Sequence, residues 1–218
     1  MIRNFIEGLK TIWKTYIIKD EFFLARELFK KDNAEKGLRY FYPLNDECTV
    51  VDLGGYRGEW AQEIWNKYHC NIYIFEPVEE FFKELQSKFR NNPKVRIFKY
   101  GVSDKDGTDL ISLGGLSSSQ FVGDRNIEVE FKVINKVFNE LGLDKIDLIK
   151  INIEGGEFKV LPRMIESGLM NNCTDMQIQF HHFYPNSERL REEIRNKLLE
   201  THKLTYDYPF FFENYRKI

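Results

Sequence analysis

Thr49-Val-Val-Asp-Leu-Gly-Gly-Tyr-Arg-Gly-Glu-Trp60, followed by Ile72-Tyr-Ile-Phe-Glu-Pro77, is the stretch whose reading decides the fold. Apolar Val50 and Val51 run into Asp52, as the end of a buried strand would. Gly54 and Gly55 let the backbone fold tightly and approach a ligand closely, and Gly58 lets the next helix pack on the strand. The start of that helix offers free N–H groups. A second strand closes on Glu76, at the spacing where a carboxylate accepts hydrogen bonds from both ribose hydroxyls, and Pro77 opens the helix that follows. Strand, glycine turn, helix start and acid-terminated strand, in that order, make a nucleoside site.

The turn itself selects the nucleoside. A dinucleotide fingerprint is Gly-x-Gly-x-x-Gly with N–H groups aimed at a pyrophosphate, whereas this turn reads Asp-x-Gly-x-x-x-Gly with a carboxylate at the strand end. An anion there repels phosphate and suits a ligand carrying an ammonium and a sulfonium; S-adenosylmethionine carries both. On this reading Asp52 orients the methionine end directly or through water, Gly54, Gly55 and Gly58 shape the turn, and Glu76 with Pro77 holds the ribose. Tyr56 lies beside the sulfonium or is simply an exposed turn residue. Ser103 and Asp104 follow the third strand, at the adenine edge, with Asp104 equally suited to forming the turn Asp104-Lys-Asp-Gly107.

With 218 residues, 42% hydrophobic and 15% aromatic, the chain can bury one substantial core and is short for two. Its 34 acids against 32 bases, with no long basic run, argue against nucleic acid as a partner. Cys48, Cys70 and Cys173 are odd in number and far apart, which fits neither a disulfide framework nor a zinc site; no metal is expected, and a reducing, cytoplasmic compartment is. Glu7, Lys10 and Lys14 interrupt every apolar run near the N-terminus, so neither a signal-peptide layout nor a membrane span is read there. Ile2, Phe5, Ile6, Leu9, Ile12, Trp13, Tyr16 and Ile17 fall on one helical stripe, suited to packing on its own domain or on a second subunit in a homodimer. Peripheral contact with a membrane, through Trp13 and Tyr16 with Lys10, Lys14 and Lys19, is the weaker alternative.

From residue 46 onward strands and helices alternate. Strands are expected at residues 48–53, 71–75, 95–100, 108–113, 127–133, 146–153 and 174–180, helices at 58–68, 77–90, 135–141, 156–168 and 187–201, and a terminal strand pair over 203–215. Residues 114–119 read as a flexible polar loop, a substrate lid or a solvated connector, with Ser118 and Ser119 facing substrate. Such alternation predicts an α/β fold: a mostly parallel sheet covered by helices on both faces, with ligands at the carboxyl ends of its strands. Residues 1–45 form an N-terminal helical extension, a cap or dimer contact, and residues 46–218 the S-adenosylmethionine-binding domain.

Asp52-Leu-Gly-Gly-Tyr-Arg-Gly58, Phe75-Glu-Pro77, Ser103-Asp-Lys-Asp-Gly107 and Lys150-Ile-Asn-Ile-Glu-Gly-Gly-Glu157 together resemble the FkbM family of S-adenosylmethionine-dependent methyltransferases. The last is the most specific, being similar to the family's Lys-Ile-Asp-Val-Glu-Gly segment. Gln177-Ile-Gln-Phe-His-His182, Thr201-His202 and Tyr208-Pro-Phe210 look like a bacterial branch of that family. The resemblance implies a Rossmann-like class I methyltransferase fold with a seven-stranded sheet, and methylation of a hydroxyl on a sugar or natural product, as in making a surface polysaccharide. Asn152 stands where the family has Asp; an amide can still accept a hydrogen bond from the methionine ammonium, so Asn152 is read as ligand-facing and not as a base.

Methyl transfer to a sugar hydroxyl needs alignment with the sulfonium methyl and a base for the proton. His181, ending a strand at the ligand-bearing edge, is the first candidate, and Glu154, after the most apolar strand, is the competitor or else anchors the Gly155-Gly156 turn. Gln179 shares the face of His181 and, with His182, is a candidate for the substrate side, although buried amides are as often structural. Two other functions stay open: a non-catalytic cofactor-binding protein, and a nicotinamide-dependent oxidoreductase, disfavoured by the glycine spacing and the absence of a Tyr-x-x-x-Lys pair.

Overall fold

The computed structural model describes residues 20–114, 117–119 and 125–218. The elements run α1 (Glu21–Lys31), α2 (Ala34–Gly37), β1 (Thr49–Leu53), α3 (Glu59–Tyr68), β2 (Asn71–Phe75), α4 (Glu79–Lys88), β3 (Val95–Phe98), β4 (Gly101–Ser103), β5 (Gly107–Gly114), β6 (Ser117–Ser119), β7 (Arg125–Val133), α5 (Ile134–Glu140), β8 (Ile146–Ile151), α6 (Glu157–Glu166), β9 (Cys173–Ile178), α7 (Ser187–Leu198), β10 (His202–Tyr208) and β11 (Phe212–Lys217).

Seven strands make one sheet in the order β10-β11-β9-β8-β1-β2-β3. Its ladders are parallel except where β11 slots between β9 and β10, antiparallel to both. Period-two alternation feeds two cores from the same strands. Val50, Ile72, Ile74 and Leu148 pack with Trp60, Ala61 and Ile64 of α3 and Leu85 of α4. Their neighbours Val51, Leu53, Phe75, Ile149 and Ile151 pack on the other face with Phe138 of α5, Leu161 of α6 and Ile194 of α7. Each such fully buried side chain contributes about 1.5–3 kcal/mol. From β1 the chain winds outward through β2 to β3 and later returns to β8 on the other side of β1, and this reversal opens a crevice at the strands' carboxyl ends.

A second sheet, ordered β4-β7-β5-β6, was not separable from the first in the sequence. Ile111 of β5 and Val129 of β7 pack on Val78 and Phe81 at the start of α4, which lays this sheet beside the crevice. Ser117–Ser119, expected in a flexible loop, instead forms β6: Ser118 pairs with Leu113 and Ser119 with Ser112. Backbone ladder bonds hold this strand, and serines carry no apolar alternation by which it could be read. The stripe Ile2 to Ile17 lies outside the described residues. Within the extension, α1 seats Ala25 and Phe29 against Tyr208 and Phe212 of the last two strands. Among the described residues no helix is long and apolar enough to cross a membrane.

Candidate active site

A cavity of about 460 Å³ lies at the carboxyl ends of β1, β2 and β8, within the size range of small-molecule sites. Its floor is the turn after β1 and the segment after β8, one wall comes from β4, β5 and Phe131 of β7, and another from Glu35, Arg39 and Tyr40. Gly54 has φ +85°, and a Cβ there would lie 2.1 Å from the Asn152 carbonyl oxygen. Only glycine lets the β1 turn and the β8 exit touch in this way.

Glu76 ties the turn to the next helix. Its Oε2 accepts from Tyr56 N at 2.8 Å and its Oε1 from Val78 N at 2.9 Å. Each oxygen keeps lone pairs, and the residue lines the cavity while only 4% exposed. Burial pushes its carboxyl up to about 7, against the lowering effect of the two N–H groups and of Lys150. Tyr56 sits at φ +48° with its ring 4.5 Å from that of Phe81, and Gly55, Pro77 and Ser103 also line the cavity. Asp104 is exposed and off the lining; it accepts a 3.0 Å hydrogen bond from the Ser103 hydroxyl. Gly58 caps α3 at φ +75°, packed near Leu85 and away from the cavity.

Asp52 departs from the expected geometry. It is fully buried beneath the cavity, and its Oδ1 accepts from Lys150 Nζ at 2.7 Å; Lys150, with a second bond to Gly54 O at 2.7 Å, is the residue that reaches the lining. The two are directly paired in the β1–β8 ladder, so their side chains leave the sheet together. Burial raises the Asp52 carboxyl, partly offset by Lys150 and Arg39. The turn is therefore not an uncompensated anion, and the repulsion of phosphate argued from Asp52 alone does not hold.

The two base candidates have separate places. Glu154, at φ +53°, lines the cavity; His181 is 6% exposed and stands behind it. Glu157, the first residue of α6, accepts from His181 N at 2.8 Å, pairs with His181 Nδ1 at 2.9 Å, and accepts from Gly155 N at 2.9 Å through its other oxygen. His181 Nε2 lies 3.5 Å from Glu154 Oε2, an ion-pair distance without hydrogen-bond geometry. Burial alone would lower the His181 pKa, but Glu157 and Glu154 outweigh it and hold the imidazole at about 10. Held between two carboxylates and off the cavity lining, His181 favours the protonated imidazole, a form that suits orienting Glu154 better than the role of a base expected for it.

Neither Gln179 nor His182 lines the cavity. His182 is exposed and its ring lies 4.7 Å from that of Phe22. Ser118 and Ser119 are described in backbone alone, and their side chains fall outside the described part. Gln177 is buried and donates to Arg39 O at 3.0 Å and to the Tyr42 hydroxyl at 2.7 Å, which fastens the 39–42 segment to β9. Trp60, Lys150, Glu157 and Arg39 are site residues that sequence reasoning did not assign. The first three lie inside the motifs quoted above, whereas Arg39 carries no local signal. Among the described residues no group of three metal-ligating side chains is assembled.

The chemistry of the lining suits S-adenosylmethionine. A buried carboxylate with spare lone pairs serves a ribose, Asn152 Oδ1 is a buried acceptor without a partner among the described residues, and Lys150 supplies a cation for a carboxylate. A doubly wound sheet with this cavity at its switch point defines a class I methyltransferase that uses S-adenosylmethionine. The methyltransferase FkbM domain model matches residues 52–208, and the chain belongs to that family. The fold is shared with an rRNA methylase from Streptococcus thermophilus at TM-score 0.51 and 11% identity, covering 80% of this chain and 89% of that one. A fibrillarin–Nop5p complex matches at TM-score 0.54 and 11% identity, over 85% and 79%. A Streptococcus mutans protein crystallised with S-adenosylhomocysteine matches at TM-score 0.50 and 9% identity, over 86% and 97%. Among curated proteins the sequence has no match.

Proposed function

We propose that the chain is an O-methyltransferase whose acceptor is a hydroxyl of a sugar or carbohydrate-linked molecule, made in the cytoplasm for a surface polysaccharide or natural product. The observation that carries this is Glu154: a carboxylate on the cavity wall, backed by His181 and Glu157. A neutral hydroxyl must lose a proton to become a methyl acceptor, and a carboxylate beside it receives that proton. The cofactor supplies, when bound, a methyl already activated on a sulfonium.

In this reading Glu76 holds the ribose hydroxyls, Gly54 and Gly55 let the backbone come close to the cofactor, and Ser103 stands on the adenine side. Asn152 Oδ1 accepts from the methionine ammonium. Glu154 takes the acceptor proton, and His181 is a positioning residue: clamped by Glu157, its charge holds Glu154 toward the cavity. The left-handed backbone of Glu154 fits a residue whose placement is enforced by its surroundings. Residues 20–45 act as a cap, since Glu35, Arg39 and Tyr40 close one wall.

The rRNA methylase likeness invites an RNA acceptor, but a net charge of −2 without a long basic run speaks against it. The test is an intact-mass screen for transfer of one methyl from S-adenosylmethionine to nucleotide-sugars, oligosaccharides and RNA fragments. Methylation of sugars that Glu154→Gln abolishes supports the proposal. Methylation confined to RNA or to amines overturns it, as does a protein that binds the cofactor and methylates no acceptor.

A further inference from the structure

Cys48 and Cys70 are far apart in the chain and neighbours in the fold. β1 and β2 run parallel with Thr49 paired to Asn71, so the residues just before them, Cys48 and Cys70, enter the two strands side by side. Adjacent strands lie about 4.8 Å apart, inside the Cα separation of roughly 4.4–6.8 Å that a disulfide spans. Both side chains take the face of Val50 and Ile72: Cys70 is fully buried in that core, and Cys48 packs on it half-buried. The strand entries are also tied together around them. Asn71 N donates to Cys48 O at 2.9 Å, and Lys94 Nζ bridges the two segments, donating to Asp46 O at 2.8 Å and to His69 O at 3.0 Å.

The two thiols differ in reach. Cys48 meets solvent, and its Sγ accepts from Asn45 N at 3.4 Å, a contact that favours the thiolate; as a thiol it donates to Asn45 Oδ1 at 3.3 Å. Burial pushes the Cys70 thiol up to about 12, which keeps it protonated and slow toward a dissolved oxidant. A thiol open to solvent with a protected one beside it is the arrangement of an attacking and a resolving cysteine. Cys173 belongs to the core on the other face of the sheet, fully buried with its Sγ against Leu169 O.

We propose that Cys48 and Cys70 are a modification site, a dithiol that closes to a reversible disulfide when the protein meets hydrogen peroxide. The Cys48 thiolate attacks one oxygen of the peroxide, the O–O bond breaks, and hydroxide leaves to take up a proton as water. The sulfenic acid so formed is attacked at sulfur by Cys70, which gives up its proton as the S–O bond breaks and a second water departs. Two thiols are oxidised to one disulfide while the peroxide is reduced to water. The bond closes a ring containing β1, the glycine turn and α3, at the strand ends opposite the cavity, and neither cysteine lines that cavity. It braces the unit that carries the turn and leaves the lining untouched.

The test is peptide mapping of the whole chain after treatment with hydrogen peroxide, with free thiols alkylated under denaturing conditions. The expected product is a dithiothreitol-sensitive cross-link between the peptides of Cys48 and Cys70, with Cys173 alkylated. Thermal melts give a second reading: ring closure should raise the melting temperature by roughly 5–12 °C, and dithiothreitol should reverse the rise. Cys48→Ser should show neither the cross-link nor the shift. Both thiols still alkylated after excess peroxide overturn the proposal, as does Cys48 halted as a sulfenic or sulfinic acid with Cys70 free, or a cross-link between two chains. None of these outcomes touches the cofactor reading, which stands or falls on binding of S-adenosylhomocysteine.

Discussion

Glu76 makes cofactor binding depend on pH in a range where an ordinary carboxylate would not. Burial lifts its carboxyl from 4.5 to about 7, while the ribose hydroxyls it is proposed to hold donate to the ionised form. Titration about 7 leaves roughly nine-tenths of molecules ionised at pH 8 and roughly one-tenth at pH 6, so affinity for S-adenosylhomocysteine should fall about tenfold between them. The sign for stability is opposite. A carboxyl raised in the folded state contributes stability fully below its unfolded pKa, and that contribution, about 3 kcal/mol, is lost as pH rises through 7. Glu76→Gln should remove the pH dependence and weaken binding about 10- to 100-fold at pH 8, because one amide oxygen cannot accept from Tyr56 N, Val78 N and two hydroxyls, and its NH₂ faces a backbone donor. Calorimetry across pH 5.5–8.5, with folding checked by thermal melts, reads both effects. A flat profile in the wild type, or the same slope in the variant, refutes the reasoning.

Four further outcomes follow from the same contacts. Gly54→Ala should lose about 1–2 kcal/mol to the left-handed backbone alone, with more from the clash at the Asn152 carbonyl, measured by urea unfolding. Lys150→Met should cost about 3–5 kcal/mol by stranding buried Asp52, and Asp52→Asn added to it should recover most of that loss; no recovery contradicts the pairing. His181→Asn should remove a stability term that is present below pH 6.5 and lost as pH rises through about 10, seen as a flatter melting profile across that window. Glu154→Gln should lower kcat at least 100-fold with S-adenosylhomocysteine affinity unchanged, and a parallel loss of affinity would show that Glu154 acts on the cofactor instead.

The parts of the molecule that were legible in the sequence are those governed by local period. Val50 and Val51, like Ile74 and Phe75, alternate between two cores, and that alternation with intervening helices was sufficient to predict the mostly parallel sheet. Gly54 and Glu76 were legible because a tight turn and an acid at a strand end leave a spacing to read. Contacts between distant segments left none. The pairing of Asp52 with Lys150 spans 98 residues and depends on strand register, so Asp52 was read as facing the ligand when its partner does. His181 looked like a base until Glu157 was found against its Nδ1, and the fold alone puts that carboxylate there. Arg39 reaches the cavity on a segment held by Gln177, which donates to its carbonyl, and by Tyr68, which donates to that of Tyr40, and no motif around residue 39 announces either contact.

The most direct test is a crystal structure of the chain with S-adenosylhomocysteine. The ribose should meet Glu76, the amino-acid end should lie toward Asn152 and Lys150, and the sulfur should face the space beside Glu154. A nucleoside bound with its amino-acid end away from Lys150, or with Glu154 shut off from the sulfur, would contradict the account.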